Sequence, residues 1–395
     1  GYGIYYHFDY VGDPRNYKWI NTNNIARVWE QMHLAYAYGV KNIWIVNVGD
    51  LKPMEFPISF FLDYAWNADK WNAGNLPDYY TQWAARQFGT SYARPIGRIM
   101  EQYAQYSARK KPELLDAETY SLENYNELQR VTRAYDKLQK EAEAINEKLP
   151  AGYSNAYFEL VLHPIRAFAN LQRLYTAVAF NHYYAKENNR IANKYAAGAK
   201  QYYVKDSLIS LQYNQLNGGK WNHLMDQTHI GYTYWQQTLK QKMPKLIYVA
   251  GNASLKPAPV PGSVTKSITA PVPPNTRGNV FFELNGYVSM DAAHYSGILN
   301  SKTVQWKVIR DIGRDGDGIT SFPVTADTGA VRLNAYFSPT LNFNARPEGL
   351  EYGISLDEER PQIISLNNNN NNPATWSHWV ADNILGRGKP FIKNQ

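Results

Sequence analysis

Two short apolar runs near the start of the chain have the character of β-strands, and an amphipathic helix separates them. Residues 4–12 and 43–50 are rich in aromatic and β-branched side chains, and each run ends in polar residues beside a glycine. Between them, residues 24–38 place apolar side chains at helical spacing and lead to Gly39, where a left-handed helix stop is expected. The pattern therefore predicts a strand, a helix and a strand, with the two strands parallel.

Polar residues at the ends of these two strands are the first candidates for function. In α/β folds the carboxyl ends of parallel strands carry the chemistry. The candidates are His7, Asp9, Tyr10, Asn47 and Asp50, continued by Arg15, Lys52 and Glu55. A ligand with a carboxylate would be bound by arginine or lysine with histidine or asparagine nearby. The alternative is structural, with the histidine satisfied in the core and the aspartates capping turns.

The middle of the chain has a helical pattern throughout. Its clearest helix runs over residues 128–149, where apolar side chains recur at alternating spacings of three and four. A second long helix includes residues 160–178 and is expected to kink at Pro164. A third covers residues 191–211 with an interruption at Gly198. These segments predict a bundle of antiparallel helices.

The segment at residues 221–237 is dense in aromatic and polar side chains and keeps neither helical nor strand periodicity for long. Such a segment is more typical of a structured loop than of a linker. Trp221 and Trp235 would anchor it at an interdomain interface. The residues that resemble a metal set by type are His223, Asp226 and His229. Their spacing would bring them together only on a helix, which Gly231 argues against, so no metal site is expected.

The last third of the chain alternates short strands and turns after an extended, proline-rich connector at residues 246–276. The expected strands are 280–284, 304–309, 331–337, 353–356 and 362–366. A β-sandwich is the simplest interpretation. Asp311, Asp315 and Asp317 suggest a calcium loop, but Phe322 stands where a bidentate glutamate is required, so a hairpin turn is expected instead.

Composition and charge narrow the classes of partner. The chain has 395 residues, which suggests two or three domains. Aromatic residues make up 14% of it, with 32 Tyr and 11 Trp, and aromatic faces stack on sugar rings and nucleobases alike. The net charge of +7 could attract an acidic polymer. Lysine and arginine nevertheless form no basic stripe, so a nucleic-acid partner is not expected.

Several other classes of function lack their sequence signatures. There is no cysteine, which excludes disulfides, thiolate zinc sites and a cysteine nucleophile. No apolar run is long enough to span a bilayer, so a membrane partner is not expected. There is no P-loop, dinucleotide fingerprint, zinc signature or nucleophile elbow, and no cofactor is expected.

Five longer motifs are spread over nearly the whole chain. They are residues 5–19, residues 44–57, residues 226–237, Asp291-Ala292-Ala293-His294-Tyr295 and Ser338-Pro339-Thr340-Leu341-Asn342-Phe343. Together they resemble glycoside hydrolase family 115, the xylan α-1,2-glucuronidases, in its C-terminal portion. The resemblance implies a multidomain α/β plus α plus β chain. Its parts would be the last strands and helices of a (β/α)₈ barrel over 1–72, a helical bundle over 73–245, the connector over 246–276 and an incomplete β-sandwich over 277–395.

The resemblance also implies an activity and a binding site. The activity is release of (4-O-methyl)glucuronic acid from glucuronoxylan or an aldouronic acid, with inversion, by a secreted or periplasmic homodimer. The residues that would bind the sugar are His7, Tyr10 and Asn47. A second group of candidates for the same role consists of Asp9, Arg15, Asp50 and Lys52. The rival interpretation is a non-catalytic carbohydrate-binding or scaffolding fragment.

The resemblance leaves the catalytic acid and base unidentified in this chain. Members of the family are longer, and their two carboxyls are expected upstream of Gly1, in a segment or separate chain that completes the barrel. Inverting hydrolysis requires two carboxyls roughly 6.5–9.5 Å apart. Asp50 and Glu55 are the carboxylates of this chain that could serve instead.

Overall fold

The structure is a computed structural model that describes residues 2–8, 19–124, 126–231, 240–251, 253, 283–284, 287–288, 292–295, 297–313, 316–323, 351–354 and 362–365. Its described residues form one parallel strand pair, a large set of helices and three antiparallel strand pairs. Helix is the predominant structure.

The chain begins with the predicted strand, helix and strand. Strands β1 (Gly3–His7) and β2 (Ile43–Asn47) pair in parallel along their whole length. Helix α1 (Ile25–Ala37) is capped by Asn24, whose side chain accepts from the Ala26 N–H at 2.9 Å. Gly39, with φ of +84°, follows the end of the helix in the left-handed conformation. This part of the prediction is confirmed.

The parallel pair is covered on one face by helix α2 (Glu55–Trp66). The ring of Phe61 lies 6.4 Å from that of Tyr6 and 6.0 Å from that of Trp44. Side chains on the other face of the pair are exposed: Tyr5, Ile43 and Ile45. Because strand side chains alternate between faces, one face belongs to the core and the other is bare within the described residues.

Six helices form the bundle. They are α3 (Leu76–Phe88), α4 (Thr90–Ser107), α5 (Glu127–Asn146), α6 (Ala151–Tyr157), α7 (His163–Lys186) and α8 (Ile191–Asn214). Helix α7 is central, and its Phe168 ring stacks on Tyr135 of α5 with centroids 4.8 Å apart. The predicted interruption at Gly198 is wrong, because α8 continues through it. A glycine in a helix interior reduces stability by only about 1 kcal/mol, which tertiary packing easily offsets.

Helices α6 and α7 are joined by a single turn of π-helix over Phe158–Leu162. The sequence predicts a kink at Pro164, and the structure has this wider turn just before it. Proline has no N–H to donate to the carbonyl four residues earlier, so the regular hydrogen-bond ladder cannot pass through this point. The turn carries Glu159, which is 7% exposed and contacts the strand-end loop described below.

Helices α3 and α4 approach each other closely at Gly97. A Cβ atom there would lie 2.8 Å from the Thr81 nitrogen and 2.9 Å from its Cα. Gly198 of α8, in contrast, has open space where a Cβ would project.

Alanine substitutions at these two glycines should have opposite effects on stability. Gly97→Ala is expected to lower the free energy of unfolding by about 1–3 kcal/mol, because overpacking against a backbone outweighs the better helix propensity of alanine. Gly198→Ala is expected to raise it by about 0.5–1 kcal/mol. Urea denaturation followed by circular dichroism measures both. Stabilisation by Gly97→Ala would contradict the close approach of the two helices.

Three antiparallel strand pairs follow in the C-terminal region. They are β3 (Glu283–Leu284) with β4 (Tyr287–Val288), β5 (Val304–Ile309) with β6 (Gly318–Pro323), and β7 (Glu351–Ile354) with β8 (Gln362–Ser365). Strand β5 has the predicted bounds, and the aspartate-rich loop after it is the expected hairpin turn. The sequence does not predict strand β6, because glycine and proline, which are depleted in strands, stand at its two ends. The expected strand at 331–337 lies outside the described residues.

The β5–β6 hairpin rests on the helices. The ring of Phe322 lies 5.4 Å from that of Trp29 and 5.1 Å from that of His33, both in α1. Gln105 of α4 donates from Nε2 to the carbonyl of Gly313 at 3.3 Å. None of the helices in the described part of the chain is both long enough and apolar enough to cross a membrane.

The first residues of the proline-rich connector lie along the bundle. Asn181 of α7 donates to the Ile247 carbonyl at 2.8 Å and accepts from its N–H at 2.9 Å. Asn193 of α8 makes the same pair of bonds to Val249, each 2.9 Å long. Two amide side chains thus hold an extended backbone in place as a neighbouring strand would.

Candidate functional site

The carboxyl ends of β1 and β2 bring His7 and Asn47 together. The two residues are partners in the parallel register, and the Asn47 amide donates from Nδ2 to His7 Nδ1 over 3.4 Å. The Asn47 Oδ1 atom accepts from the Gly49 backbone N–H at 3.1 Å. Both contacts require the same orientation of the Asn47 amide. Because His7 accepts at Nδ1, a neutral His7 ring carries its proton on Nε2. An imidazole N–H beside an amide is suited to bind sugar hydroxyls or a carboxylate.

The other predicted site residues are distributed around this pair. Asp50 is exposed in the loop that follows β2. Lys52 and Glu55 contact each other where this loop ends. Three further candidates lie outside the described residues, and their roles stay predictions: Asp9, Tyr10 and Arg15.

Lys52 belongs to a charge cluster at the junction of the β2–α2 loop and the π turn. Its Nζ atom is 2.7 Å from Glu55 Oε1 and also contacts Glu159 Oε1. The same ammonium lies over the ring of Trp221, 4.4 Å from its centroid. The side chains of Lys52 and Glu159 are only 19% and 9% exposed. The ammonium that the sequence assigns to a uronate is therefore engaged by two carboxylates and an aromatic face.

Glu55 and Glu159 are not spaced as an inverting acid and base. Each has an oxygen in contact with the same ammonium, whereas the two carboxyls of inverting glycosidases are separated by roughly 6.5–9.5 Å. The second oxygen of Glu55, Oε2, is buried and has no hydrogen-bond partner among the described residues. This geometry favours a salt-bridge role for Glu55 over a catalytic one.

In the described part of the aromatic-rich segment, residues 221–231, the three residues that resemble a metal set by type do not lie together. His223 Nδ1 contacts Asp226 Oδ2 at 2.6 Å on the surface. His229 is buried against Asp206 of α8 instead. Within the described residues, no three acidic, histidine or cysteine side chains are grouped so that they could hold a metal ion.

His229 forms a buried ion pair. Its Nε2 atom lies 2.9 Å from both oxygens of Asp206, and its Nδ1 atom lies 2.8 Å from the Gln227 carbonyl oxygen. A carbonyl can only accept, and Asp206 also accepts from Gln241 Nε2 at 2.6 Å, so both ring nitrogens of His229 donate. The ring stacks on Trp19 with centroids 3.6 Å apart. His229 is therefore an imidazolium held between a carboxylate and an indole face.

A second buried histidine, His163, is uncharged. Neither of its ring nitrogens has a hydrogen-bond partner among the described residues, and its ring centroid lies 4.7 Å from that of Tyr213. Burial, with a smaller contribution from the positive charge on His229, lowers the pKa of His163 to about 3. The bundle thus keeps one histidine neutral beside another that is charged.

Two carboxylates of these clusters, Glu159 and Asp206, are not among the site residues that the sequence predicts. Glu159 stands in the apolar run Phe158-Glu159-Leu160-Val161, and Asp206 precedes the buried Ile209 by one helical turn. Charged side chains are almost never fully buried unless they are paired. A lone carboxylate on an otherwise apolar helix face is the signal that could have identified both.

A third cluster of titratable groups lies where the β5–β6 hairpin meets α4. Asn24 donates from Nδ2 to the Asp311 carbonyl at 2.9 Å. Burial and then a hydrogen bond to the Asp311 side chain raise the pKa of Glu101 to about 8, while Arg310 acts in the opposite direction. Glu101 therefore carries a proton at neutral pH and shares it with the hairpin.

The free energy of unfolding is expected to fall as the pH rises through the pKa of Glu101. Glu101 binds its proton less tightly in the unfolded chain, where its pKa is near 4.5, than in the folded protein, where it is about 8. Its contribution is complete below about pH 4.5 and is lost as the pH rises through about 8. Chemical denaturation over this pH range measures how steeply the free energy of unfolding depends on pH, and Glu101→Gln should make this dependence weaker. An unchanged slope in the variant would assign the pH dependence to another group.

Comparisons with known families and with solved structures give matches along the chain. The model of glycosyl hydrolase family 115 matches residues 1–114, and the model of the family's C-terminal domain matches residues 280–330 and 324–391. Among solved structures, a family GH115 4-O-methyl-α-glucuronidase with specificity for decorated arabinogalactans has a similar fold, with a TM-score of 0.58 and 23% sequence identity. The match covers 96% of this chain and 46% of that enzyme. A search of curated proteins gives no match.

Two models of one family thus match opposite ends of the chain, and a solved member of that family shares its fold over nearly all residues. The chain spans less than half of that enzyme's length. The strand-end pair of His7 and Asn47 lies within the first matched region. The chain belongs to glycosyl hydrolase family 115.

Proposed function

We propose that this chain forms the sugar-binding side of an α-glucuronidase. The observation that carries the proposal is the pairing of His7 with Asn47 at the carboxyl edge of two parallel strands. In barrel enzymes this edge holds the substrate. His7 and Asn47, with Tyr10, bind the glucuronic acid, and the further candidates for sugar binding are Asp9, Arg15, Asp50 and Lys52.

The proposed reaction is hydrolysis of the α-1,2 bond between (4-O-methyl)glucuronic acid and xylan, with inversion. One carboxylic acid protonates the leaving oxygen while a second carboxylate activates a water molecule, and no cofactor is required. We propose that both carboxyls come from a part of the protein outside residues 1–395 or from a separate chain. The salt bridge between Glu55 and Lys52 supports this assignment, because it gives one of the two candidate carboxylates of this chain a structural partner.

Calorimetric titration tests the sugar site. The ligands are an aldouronic acid, glucuronoxylan, undecorated xylan and a glucuronic-acid-decorated arabinogalactan, since the similar solved enzyme prefers decorated arabinogalactans. Binding of the decorated ligands with no binding of undecorated xylan is expected. Equal affinity for decorated and undecorated xylan would rule out a uronate pocket, and the two decorated polymers identify the preferred backbone.

Release of uronic acid from an aldouronic acid tests the location of the acid and base. The 395-residue chain alone is expected to bind the sugar without cleaving it, whereas a longer protein or the chain with its completing partner should cleave it. Full activity from residues 1–395 would refute the proposal. It would make Asp50 or Glu55 the carboxylates to substitute next.

A non-catalytic carbohydrate-binding or scaffolding role is the second candidate. The feature that favours it is the bare apolar face of the β1–β2 pair, which gives the chain a surface that can contact another molecule. This role predicts that a complete assembly binds xylan and releases no uronic acid. The hydrolysis assay therefore separates the two functions.

The same bare face supports a larger barrel. Parallel sheets are normally covered on both sides, yet Tyr5, Ile43 and Ile45 are each more than half exposed. We propose that β1 and β2 are the last strands of a (β/α)₈ barrel whose other strands cover this face. Hydrogen exchange in the completed protein should slow at β1 and β2 relative to the 395-residue chain. Equal exchange in both would contradict the barrel.

A β-sandwich over residues 277–395 is proposed for the C-terminal region. Its support is the three antiparallel pairs, which are the units from which such sandwiches are assembled. The connector at 246–276 would then separate it from the bundle over 73–245. Limited proteolysis should cut the chain within the connector and release a folded C-terminal fragment. If the protease cut within residues 277–395 earlier than within the connector, this boundary would be contradicted.

We propose that two copies of the chain form a homodimer in which their α8 helices contact each other. Three apolar side chains at spacings of four and three form an exposed stripe: Val204, Leu208 and Leu211. A two-fold axis would pack this stripe against its copy. Leu208→Glu is expected to convert a dimer to a monomer in native mass measurements, and Gln212→Glu should have no effect. A monomeric wild-type protein would refute the dimer.

A secreted or periplasmic location is proposed because the polymeric substrate lies outside the cytoplasm. Cell fractionation with an antibody to the protein tests it. Detection in the cytoplasmic fraction alone would refute it.

A further inference from the structure

The Lys52 cluster joins groups from four places in the chain. Lys52 lies in the loop after β2, Glu55 begins α2, Glu159 lies in the π turn and Trp221 follows α8. All three partners contact one ammonium group. The contact therefore ties the strand-end loop to two separate parts of the bundle. A π turn of this kind is frequently found at functional sites.

The Lys52 ammonium bridges the two carboxylates of this cluster. Without the Lys52 ammonium, the carboxylates of Glu55 and Glu159 would repel each other in a poorly solvated place. A cavity of about 30 Å³ adjoins Glu159 and is lined also by Asn21, Pro53 and Phe56. Such a volume holds about two water molecules and is too small for a sugar. The cluster is therefore not a second sugar site.

The loop between Asn47 and Lys52 is short and internally bonded. Asn47 Oδ1 accepts from the Gly49 N–H at 3.1 Å, and Leu51 accepts through its carbonyl from the Met54 N–H at 2.9 Å. Four residues separate Asn47 from Lys52. Because the loop has little slack, a shift of Lys52 away from the bundle also shifts Asn47. Misplacement of a binding group by about 1 Å can reduce function on the order of 100-fold.

We propose that Lys52 is a positioning residue whose bridge to Glu55 and Glu159 fixes Asn47 beside His7. The inference rests on the proposed uronate site and gives Lys52 a role other than direct contact with the sugar carboxylate. Loss of the bridge weakens sugar binding although every group that touches the sugar is still present.

Three substitutions distinguish positioning from direct binding. Lys52→Met removes the charge and keeps the length, Lys52→Arg keeps the charge, and Glu159→Gln weakens the bridge while leaving the lysine. Positioning predicts that the Met and Gln variants bind an aldouronic acid about tenfold more weakly and that Lys52→Arg retains most of the affinity. Direct binding predicts that Glu159→Gln releases the ammonium, so that affinity is unchanged or higher. That outcome would overturn the proposal.

The matched control is Lys220→Met. Lys220 lies over the same Trp221 ring at 4.7 Å, and its loss should leave sugar affinity unchanged. A tenfold loss in this control would show that the effect belongs to the ring contact and would overturn the proposed bridge.

A second readout needs no sugar. The side-chain amide resonance of Asn47, identified by its loss in Asn47→Ala, should shift in Lys52→Met and Glu159→Gln and stay in place in Lys220→Met. An unshifted resonance in both bridge variants overturns the inference. If the wild-type protein binds no uronate, the proposed function fails and this resonance still decides the inference. If Lys52→Met does not fold, Glu159→Gln and Lys52→Arg decide it by the same criteria.

Discussion

Replacing Asp206 by alanine is expected to lower the free energy of unfolding by about 3–5 kcal/mol, because it leaves a buried imidazolium without its carboxylate. Asp206 and His229 are each 1% exposed, so water cannot replace the lost partner. Asp206→Asn keeps an acceptor for His229 and for Gln241 and should have a smaller effect. Urea denaturation followed by tryptophan fluorescence measures both variants.

Asp136→Ala is the matched control for Asp206. Asp136 pairs with Arg173 at 2.6 Å, but its side chain is 36% exposed. Pairs with this much exposure contribute no more than about 1 kcal/mol. Similar losses at the two aspartates would mean that His229 is not charged in the folded protein. Nitrogen chemical shifts of His229, which distinguish a doubly protonated ring, check the same point directly.

Removing either member of the strand-end pair is expected to weaken binding of an aldouronic acid by about 10- to 100-fold. A hydrogen bond to a charged group contributes about 1.5–3 kcal/mol, and each factor of ten corresponds to about 1.4 kcal/mol. His7→Ala and Asn47→Ala each remove one such donor. Calorimetry measures the affinity, and circular dichroism verifies that the variants fold.

The controls for this pair are His182→Ala and Gln212→Ala, which remove the same kind of side chain from bundle helices. Both should bind the sugar as the wild-type protein does. The double substitution of His7 and Asn47 should lose less than the sum of the single losses, because the two side chains contact each other. Unchanged affinity in His7→Ala and Asn47→Ala would remove the sugar site from this strand edge.

Much of the helical and parallel-strand structure could be predicted from local sequence. The helix after Asn24 and the helix over 128–149 have clear periodicity and ends, and the structure has both. The π turn before Pro164 could be predicted only as a kink, since the path of the chain around a proline depends on what packs beside it. Strand β6 is short and has glycine and proline at its ends, so the sequence does not predict it, and its pairing with β5 decides its conformation.

The candidate site was also predictable only in part, because some of its contacts join residues that are far apart in the chain. Equal strand lengths and a parallel arrangement suffice to bring His7 beside Asn47. The partners of Lys52 were not predictable, because Glu159 is more than a hundred residues away and stands in an apolar run. His229 resembles part of a metal set with His223 and Asp226 by residue type, but its partner is Asp206 on another element.

By itself, the sequence determined the order of the helices and the parallel strands, the strand-end pair and the membership of family 115. These properties depend on residue periodicity and on motifs that are contiguous in the chain. Only the tertiary structure decided which charges are paired with one another. Ion pairs depend on how separate elements pack, so the lysine that the sequence assigned to the sugar is found in contact with a carboxylate of the bundle.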